Sequence, residues 1–163
     1  MLSVLIETRD SEKPLAHTLS ALVPAVVDGL VRRVTVIDHG SRDDTALAAA
    51  GAGCAFFEAG RIGAALAEIV TDWVLLLQPG ALPQPGWEAA ARNHMETSGA
   101  PARFTAAGTG AFRKIFGGGG MEAGLLARLE TVRPPLLEGV AFADLPRRFR
   151  LVRLKAEIGL YRS

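Results

Sequence analysis

Residues 34–45 join an apolar run to side chains that can do chemistry. The run Val-Thr-Val-Ile ends in Asp38, Gly40 follows, and Ser, Asp and Thr residues crowd positions 41–45. A β-branched run predicts a buried strand, the glycine permits a tight turn, and the polar cluster can cap a helix at 46–50. Ligands of open α/β sheets bind where strands end, so the pattern predicts a carboxylate at a binding edge. The alternative is an ordinary strand–turn–helix in which Asp38 only shapes the turn.

The first 100 residues alternate between strand-like and helix-like patterns. Strands are predicted at residues 3–7, 31–37, 53–58 and 73–77, and helices at residues 15–27, 46–51, 62–70 and 87–95. A proline- and glycine-rich loop is predicted at 78–86. Such alternation predicts an α/β fold with a mainly parallel sheet and helices on both faces.

The last third is less regular. The sequence suggests a strand at 102–107, a helix at 121–131, a chain break at Pro134 and Pro135, and a closing strand or helix at 152–161. Four glycines at 117–120 predict a flexible connection or a mobile lid. No repeat and no second domain is evident, so residues 1–163 are interpreted as one domain.

Composition excludes several classes of protein. The chain has 163 residues, 49% of them hydrophobic and 21% charged, which argues against disorder. A net charge of +1 gives no field that would attract nucleic acid, and a single cysteine excludes an internal disulfide. No apolar run reaches the roughly 18 residues that a membrane span needs. The first residues lack the basic region of a signal peptide, so a cytoplasmic location is expected.

Five segments in order carry a family resemblance. They are residues 3–10 (SVLIETRD), 36–45 (VIDHGSRDDT), 60–65 (GRIGAA), 72–80 (DWVLLLQPG) and 82–87 (LPQPGW). Together they resemble family 2 glycosyltransferases of the GT-A type, over about the first 100 residues. The resemblance implies a GT-A, Rossmann-like fold with a nucleotide-binding half at 1–100 and a shortened acceptor half at 101–163. It also implies inverting transfer from a nucleotide-sugar such as a UDP- or GDP-sugar.

The resemblance assigns candidate site residues. Those expected at the nucleotide are Thr8, Asp10, Asp38, His39, Gly40, Arg61 and Gln78. The stretch around Asp144 resembles the acidic motif of the acceptor half, which implies that Asp144 is the general base, with Glu138 as the alternative. Arg113 and the glycines at 117–120 fall where members carry an Arg followed by two glycines.

The departures from the family pattern concern the metal. Members carry Asp-x-Asp after the fourth strand, and those carboxylates hold Mg²⁺ or Mn²⁺ against the diphosphate. Here those positions are Gln78, Pro79 and Gly80, so the family's metal ligands are absent and no metal site is predicted. His39 replaces the second acid of the nucleotide motif.

Three hypotheses follow. The first is a glycosyltransferase without the usual metal pair, in which Arg61, or Arg113 and Lys114, stabilises the departing diphosphate. The second is a catalytically inactive module that binds a nucleotide or a partner protein. The third is a generic Rossmann-like binder of a nucleotide or methyl donor, disfavoured because no G-x-G-x-x-G follows the first strand. The short acceptor half and the alanine-rich helices also suggest a homodimer.

Overall fold

The computed structural model describes residues 1–108 and 120–162. The strands are β1 (Leu2–Thr8), β2 (Val31–Asp38), β3 (Ala55–Glu58), β4 (Trp73–Leu77), β5 (Ala81–Pro83), β6 (Ala102–Ala106), β7 (Leu125–Arg128) and β8 (Val152–Leu160). The α-helices are α1 (Glu12–Val27), α2 (Thr45–Gly51), α3 (Ile62–Ala67), α4 (Trp87–Thr97) and α5 (Leu129–Leu137). Short 3₁₀ helices occupy Ala59–Arg61, Met121–Ala123 and Phe142–Arg148.

All eight strands form one sheet in the order β3-β2-β1-β4-β7-β6-β8-β5. Strands β3, β2, β1 and β4 are parallel. Strand β7 is antiparallel to both β4 and β6, β8 is parallel to β6, and β5 is antiparallel to β8. The predicted α/β fold with a mainly parallel sheet is therefore confirmed.

The helices pack on both faces of this sheet. On one face, Val4 and Ile6 of β1 share a buried cluster with the apolar stripe of α1 and with residues of α2 and α4. On the other face, Leu5 of β1 packs with residues of α3 and α5. Alternate residues of a strand point to opposite faces, so these two clusters define an α1/α2 side and an α3/α5 side.

Helix α1 follows the residue types in its sequence. Its buried residues Leu15, Leu19 and Leu22 recur at helical spacing, and Pro14 lies in the first turn, where its missing N–H costs nothing. The helix ends before Gly29, whose φ of 81° is the left-handed conformation that commonly ends helices. The predicted helix at 15–27 is confirmed, and it begins three residues earlier.

The predicted helix at 121–131 is wrong. A 3₁₀ turn at Met121–Ala123 leads into β7, and α5 begins only at Leu129. The apolar run Leu125–Ala127 is too short for its pattern to distinguish a buried strand from a helix. It forms a strand because it pairs with β4.

Two other predictions, at Pro134–Pro135 and at residues 78–86, are also corrected. Pro134 and Pro135 lie inside α5 rather than breaking the chain, because the helix packs onto the sheet through Val132 and Leu136. The loop predicted at 78–86 contains β5, which pairs with β8. Val152–Leu160 is a strand, which is one of the two alternatives predicted for 152–161. Three of the four glycines, residues 117–119, lie outside the described residues.

Candidate functional site

The parallel strands end together at one edge of the sheet. Asp38, the last residue of β2, pairs with Thr8 of β1 and with Glu58 of β3. Leu77, the last residue of β4, pairs with Ile6. Gln78 therefore follows β4 at the same carboxyl edge that carries Asp38. The structure places these two predicted site residues on one rim.

Asp38 is almost fully hydrogen-bonded within the protein. The residue is 6% exposed. Its Oδ1 accepts hydrogen bonds from the Thr8 hydroxyl (2.7 Å) and the Ser41 hydroxyl (2.6 Å), and its Oδ2 accepts one from the Ser41 N–H (2.9 Å). An ionised carboxylate offers about four acceptor positions, so these bonds leave little capacity for a ligand.

These contacts also fix the charge of Asp38. Burial disfavours the ionised form, but hydrogen bonds from Ser41, Thr8 and the Gly40 backbone outweigh it and lower the pKa of the Asp38 carboxyl. The carboxylate is therefore held as an anion.

The loops after β1 and β2 are joined by reciprocal hydrogen bonds. The Asp10 N–H donates to the Ser41 hydroxyl (2.8 Å), and the Asp10 carboxylate accepts from the Arg42 N–H (2.7 Å). Asp10 has a φ of 45°, an unusual conformation for a residue other than glycine. Gly40, with a φ of 77°, makes the turn between Asp38 and Ser41. We call Asp38, Thr8, Ser41, Asp10 and Gly40 the clasp.

His39 and Glu7 form a polar pair on the α3/α5 side of the sheet. His39 follows Ile37 by two residues and Glu7 follows Leu5 by two, and both apolar residues belong to the α3/α5 cluster. Nε2 of His39 lies 3.0 Å from Oε2 of Glu7, with the side chains 42% and 27% exposed. Sequence reasoning missed Glu7, because its diagonal position relative to His39 follows from the register of β1 with β2.

Arg61 lies on this same side. Its guanidinium sits over the Phe57 ring at 5.9 Å, and Phe57 pairs with Ile37. Gly63, just after it, faces Leu137 at the end of α5, where an added Cβ would be 3.6 Å from Cδ2. Arg61 is exposed and forms no ion pair with another described residue.

The turn after β4 is built into the rest of the fold. The Gly80 N–H donates to the Thr18 hydroxyl (2.8 Å) and the Pro14 carbonyl (3.1 Å), and its carbonyl accepts from the Tyr161 N–H (2.7 Å). Gly80 has a φ of 91°, and an added Cβ would lie 3.5 Å from Cβ of Pro14. A side chain here would be strained and would point into the junction of α1 with Tyr161.

The positions that the resemblance aligns with the family's metal ligands, residues 78–80, carry no carboxylate. No group of three His, Cys, Asp or Glu side chains that could hold a metal ion occurs among residues 1–108 and 120–162. Gln78 offers one neutral oxygen and Gly80 none, whereas divalent Mg²⁺ and Mn²⁺ prefer carboxylates.

Asp144 lies outside the loops that follow the parallel strands. It is exposed on the 3₁₀ helix Phe142–Arg148, whose Phe142 and Leu145 pack in the α3/α5 cluster. It lines a shallow pocket of about 530 Å³ together with Arg147 and Arg148. No described contact joins Asp144 to the clasp or to His39, so its role as general base remains a prediction.

Within the described part of the chain, no helix combines the length and the apolar character needed to cross a bilayer.

The fold is similar to solved structures of glucosyl-3-phosphoglycerate synthase from Mycobacterium tuberculosis. Its complex with Mn²⁺, UDP-glucose and phosphoglyceric acid is 17% identical with a TM-score of 0.69, covering 100% of this chain and 72% of that one. Its complex with Mn²⁺, UDP and glucosyl-3-phosphoglycerate is 18% identical with a TM-score of 0.67 and the same coverage. No protein-family model and no curated protein matches the sequence significantly. These similarities establish the GT-A nucleotide-sugar transferase fold.

Proposed function

We propose that this chain is a family 2-like glycosyltransferase that binds a nucleotide-sugar at the carboxyl edge of β1–β4. The observation that carries the proposal is the convergence at that edge of the clasp, the His39–Glu7 pair and Arg61, within a GT-A fold. The structural neighbours bind UDP or UDP-glucose, which supports a UDP-sugar as the donor. Residues 1–100 would form the nucleotide-binding half and residues 101–163 the acceptor half.

In this proposal the chain's own residues handle the charges of the reaction. The acceptor oxygen bonds to the anomeric carbon as the bond to the diphosphate breaks, and negative charge gathers on the diphosphate. Arg61 lies on the side of the sheet where a fixed cation could stabilise that charge. Asp144 is the proposed base that accepts the proton of the attacking hydroxyl. Asp38 holds the loops around the nucleotide.

A second candidate is an inactive module that binds a nucleotide or a partner protein. The turn at Gly80 favours it, because the resemblance aligns this turn with Asp-x-Asp and Gly80 cannot accept an acid without strain. That Gln78 and Gly80 stand where the family carries its two metal-binding acids is itself part of this proposal.

Turnover and binding separate the two candidates. Purified protein is mixed with UDP- and GDP-sugars, with and without EDTA, and donor cleavage and sugar transfer are measured. Calorimetry with UDP, GDP and their sugars is run in parallel. Turnover supports the transferase, and binding without turnover supports the module. The absence of both turnover and binding would contradict the transferase and nucleotide binding by the module. Light scattering after gel filtration tests the predicted homodimer. The cytoplasmic location also remains a prediction.

A further inference from the structure

The net charge of +1 is the sum of two oppositely charged halves. Residues 1–100 carry 7 Lys and Arg against 12 Asp and Glu, whereas residues 101–163 carry 11 against 5. The proposed nucleotide-binding half is therefore acidic, and the proposed acceptor half is basic. Five of the 11 cations lie within residues 147–155, and no acid occurs between Asp144 and Glu157. Such an asymmetry indicates a ligand or partner of the basic half that carries negative charge.

Two of these cations line the pocket that contains Asp144. Arg147 and Arg148 share this cavity of about 530 Å³ with the carboxylate. The 3₁₀ helix that carries all three is held in place because its Phe142 and Leu145 are buried in the α3/α5 cluster. Asp144 and Arg147 are three residues apart, so they lie on the same side of this helix. The pocket therefore combines two cations and one carboxylate on a single fixed turn.

Both arginines of the pocket can bind a ligand. Arg147 and Arg148 are exposed, and neither forms an ion pair with any residue of 1–108 or 120–162. A guanidinium donates paired hydrogen bonds to a phosphate, and two guanidinium charges match the charge of about −1.5 to −2 on a phosphate monoester. Asp144 can accept a hydrogen bond from a hydroxyl. A molecule with both a phosphate and a hydroxyl would therefore use all three side chains, whereas a neutral sugar would leave the arginines without a partner.

The wall of the pocket begins near the carboxyl edge of the sheet. Helix α5 ends at Leu137, and Gly139, with a φ of 89°, turns the chain along the pocket. Leu137 is the residue that faces Gly63, which lies in the first turn of α3, two residues after Arg61. A ligand in the pocket is therefore on the same side of the sheet as the cation proposed to stabilise the departing diphosphate.

We propose that this pocket binds an acceptor that carries a phosphate group, with Arg147 and Arg148 on the phosphate and Asp144 on the hydroxyl that is glycosylated. The volume of the pocket is within the range of small-molecule sites. The role of the ligand as acceptor rests on the proposed function, whereas phosphate binding does not. In the transfer, the hydroxyl oxygen bonds to the anomeric carbon, its proton passes to Asp144, and the electron pair of the broken bond leaves with the diphosphate.

An NMR titration of the isotopically labelled full chain tests the proposal. The probes are glycerol phosphate, which carries both groups, and glycerol, which lacks the phosphate. We expect glycerol phosphate to shift the amide resonances of residues 139–148, and glycerol at the same concentration to leave them unshifted. Sedimentation with phosphatidylcholine vesicles, with and without phosphatidylglycerol, distinguishes a lipid headgroup from a soluble source of the phosphate. Sedimentation only with phosphatidylglycerol supports a lipid acceptor, and amide shifts without sedimentation support a soluble one.

Two double variants with the same change of charge locate the site. Arg147→Gln/Arg148→Gln should weaken binding of glycerol phosphate by at least about tenfold, because the charge-assisted hydrogen bonds of both guanidiniums are lost. Arg150→Gln/Lys155→Gln removes two exposed cations of the same run that do not line the pocket. Because salt screens charges that do not contact the ligand, this control should change the affinity by less than about twofold. Equal losses in the two variants would mean that phosphate responds only to overall charge, and would overturn the proposal.

The remaining outcomes separate this inference from the proposed function. Shifts that glycerol causes equally, or shifts confined to residues outside 139–148, overturn the phosphate site. Binding of UDP without phosphate binding at the pocket also overturns the phosphate site, but it leaves the proposed nucleotide site in place. Phosphate binding by folded protein that binds no nucleotide retains the pocket as an anion site, and overturns its role as an acceptor site together with the proposed function.

Discussion

The two sides of the carboxyl edge differ in how completely their polar groups are hydrogen-bonded. On the α1/α2 side, Asp38 is 6% exposed and its oxygens already accept hydrogen bonds from Thr8 and Ser41. On the α3/α5 side, the side chain of His39 is 42% exposed, and its described contact is that of Nε2 with Glu7. Asp38, at the end of β2, and His39, directly after it, therefore have different surroundings. Asp38 positions the loops, whereas His39 is available to a ligand.

The largest expected effect comes from breaking the clasp. Asp38→Ala would leave the Thr8 hydroxyl and the Ser41 N–H without their acceptor, so the free energy of unfolding should fall by about 2–3 kcal/mol. Urea denaturation followed by circular dichroism measures it. His39→Ala is the matched control on the other side of the sheet. Equal losses for both variants would contradict the division of roles.

The turn after β4 gives the next largest effect. Gly80→Asp places a side chain on a left-handed residue packed against Pro14, so it should destabilise the fold by about 1–2 kcal/mol. It should also fail to create a Mn²⁺ site, because the new Cβ points toward α1. Thermal unfolding and Mn²⁺ calorimetry measure the two outcomes. Gln78→Asp, made outside that junction, is the control. Tight Mn²⁺ binding by Gly80→Asp would show that the turn can still be a metal site.

The parts of this edge differ in how far the sequence could predict them. Strand β4 was predicted at its observed bounds because five consecutive apolar residues at 73–77 are flanked by polar residues and turns. Asp38 and Gln78 could be placed on one rim, because the carboxyl ends of parallel strands lie at the same edge of a sheet. Strand β7 could not be predicted, because its short apolar run becomes a strand only through pairing with β4 and β6.

The cross-strand partners of Asp38 and His39 could not be predicted from the sequence. The resemblance grouped Asp38 and His39 as nucleotide ligands. Register decides that Thr8 lies beside Asp38 and that Glu7 is diagonal to His39. That register depends on the pairing of β1 with β2, a contact between residues about thirty positions apart. No local pattern specifies it.

A smaller effect concerns stability in acid. The pKa of Asp38 is lowered in the folded protein, so its ionised form contributes stability above the unfolded carboxyl pKa. That contribution is lost as the pH falls through the lower, folded pKa. The difference in unfolding free energy between the unaltered protein and Asp38→Asn should therefore shrink below about pH 4. Urea denaturation at a series of pH values measures it. A constant difference would mean that ionisation of Asp38 does not stabilise the clasp.

The smallest expected effect is the contribution of the His39–Glu7 pair to the free energy of unfolding. Glu7→Gln removes one charge from a partly exposed contact, where solvent screens the attraction, so the unfolding free energy should change by less than about 0.5 kcal/mol. Glu68→Gln, in the other exposed pair, should have an effect of similar size. Denaturation at neutral pH compares the two. A loss several times larger for Glu7→Gln would mean that the His39–Glu7 pair holds β1 to β2, and that the two sides of the edge share one structural role.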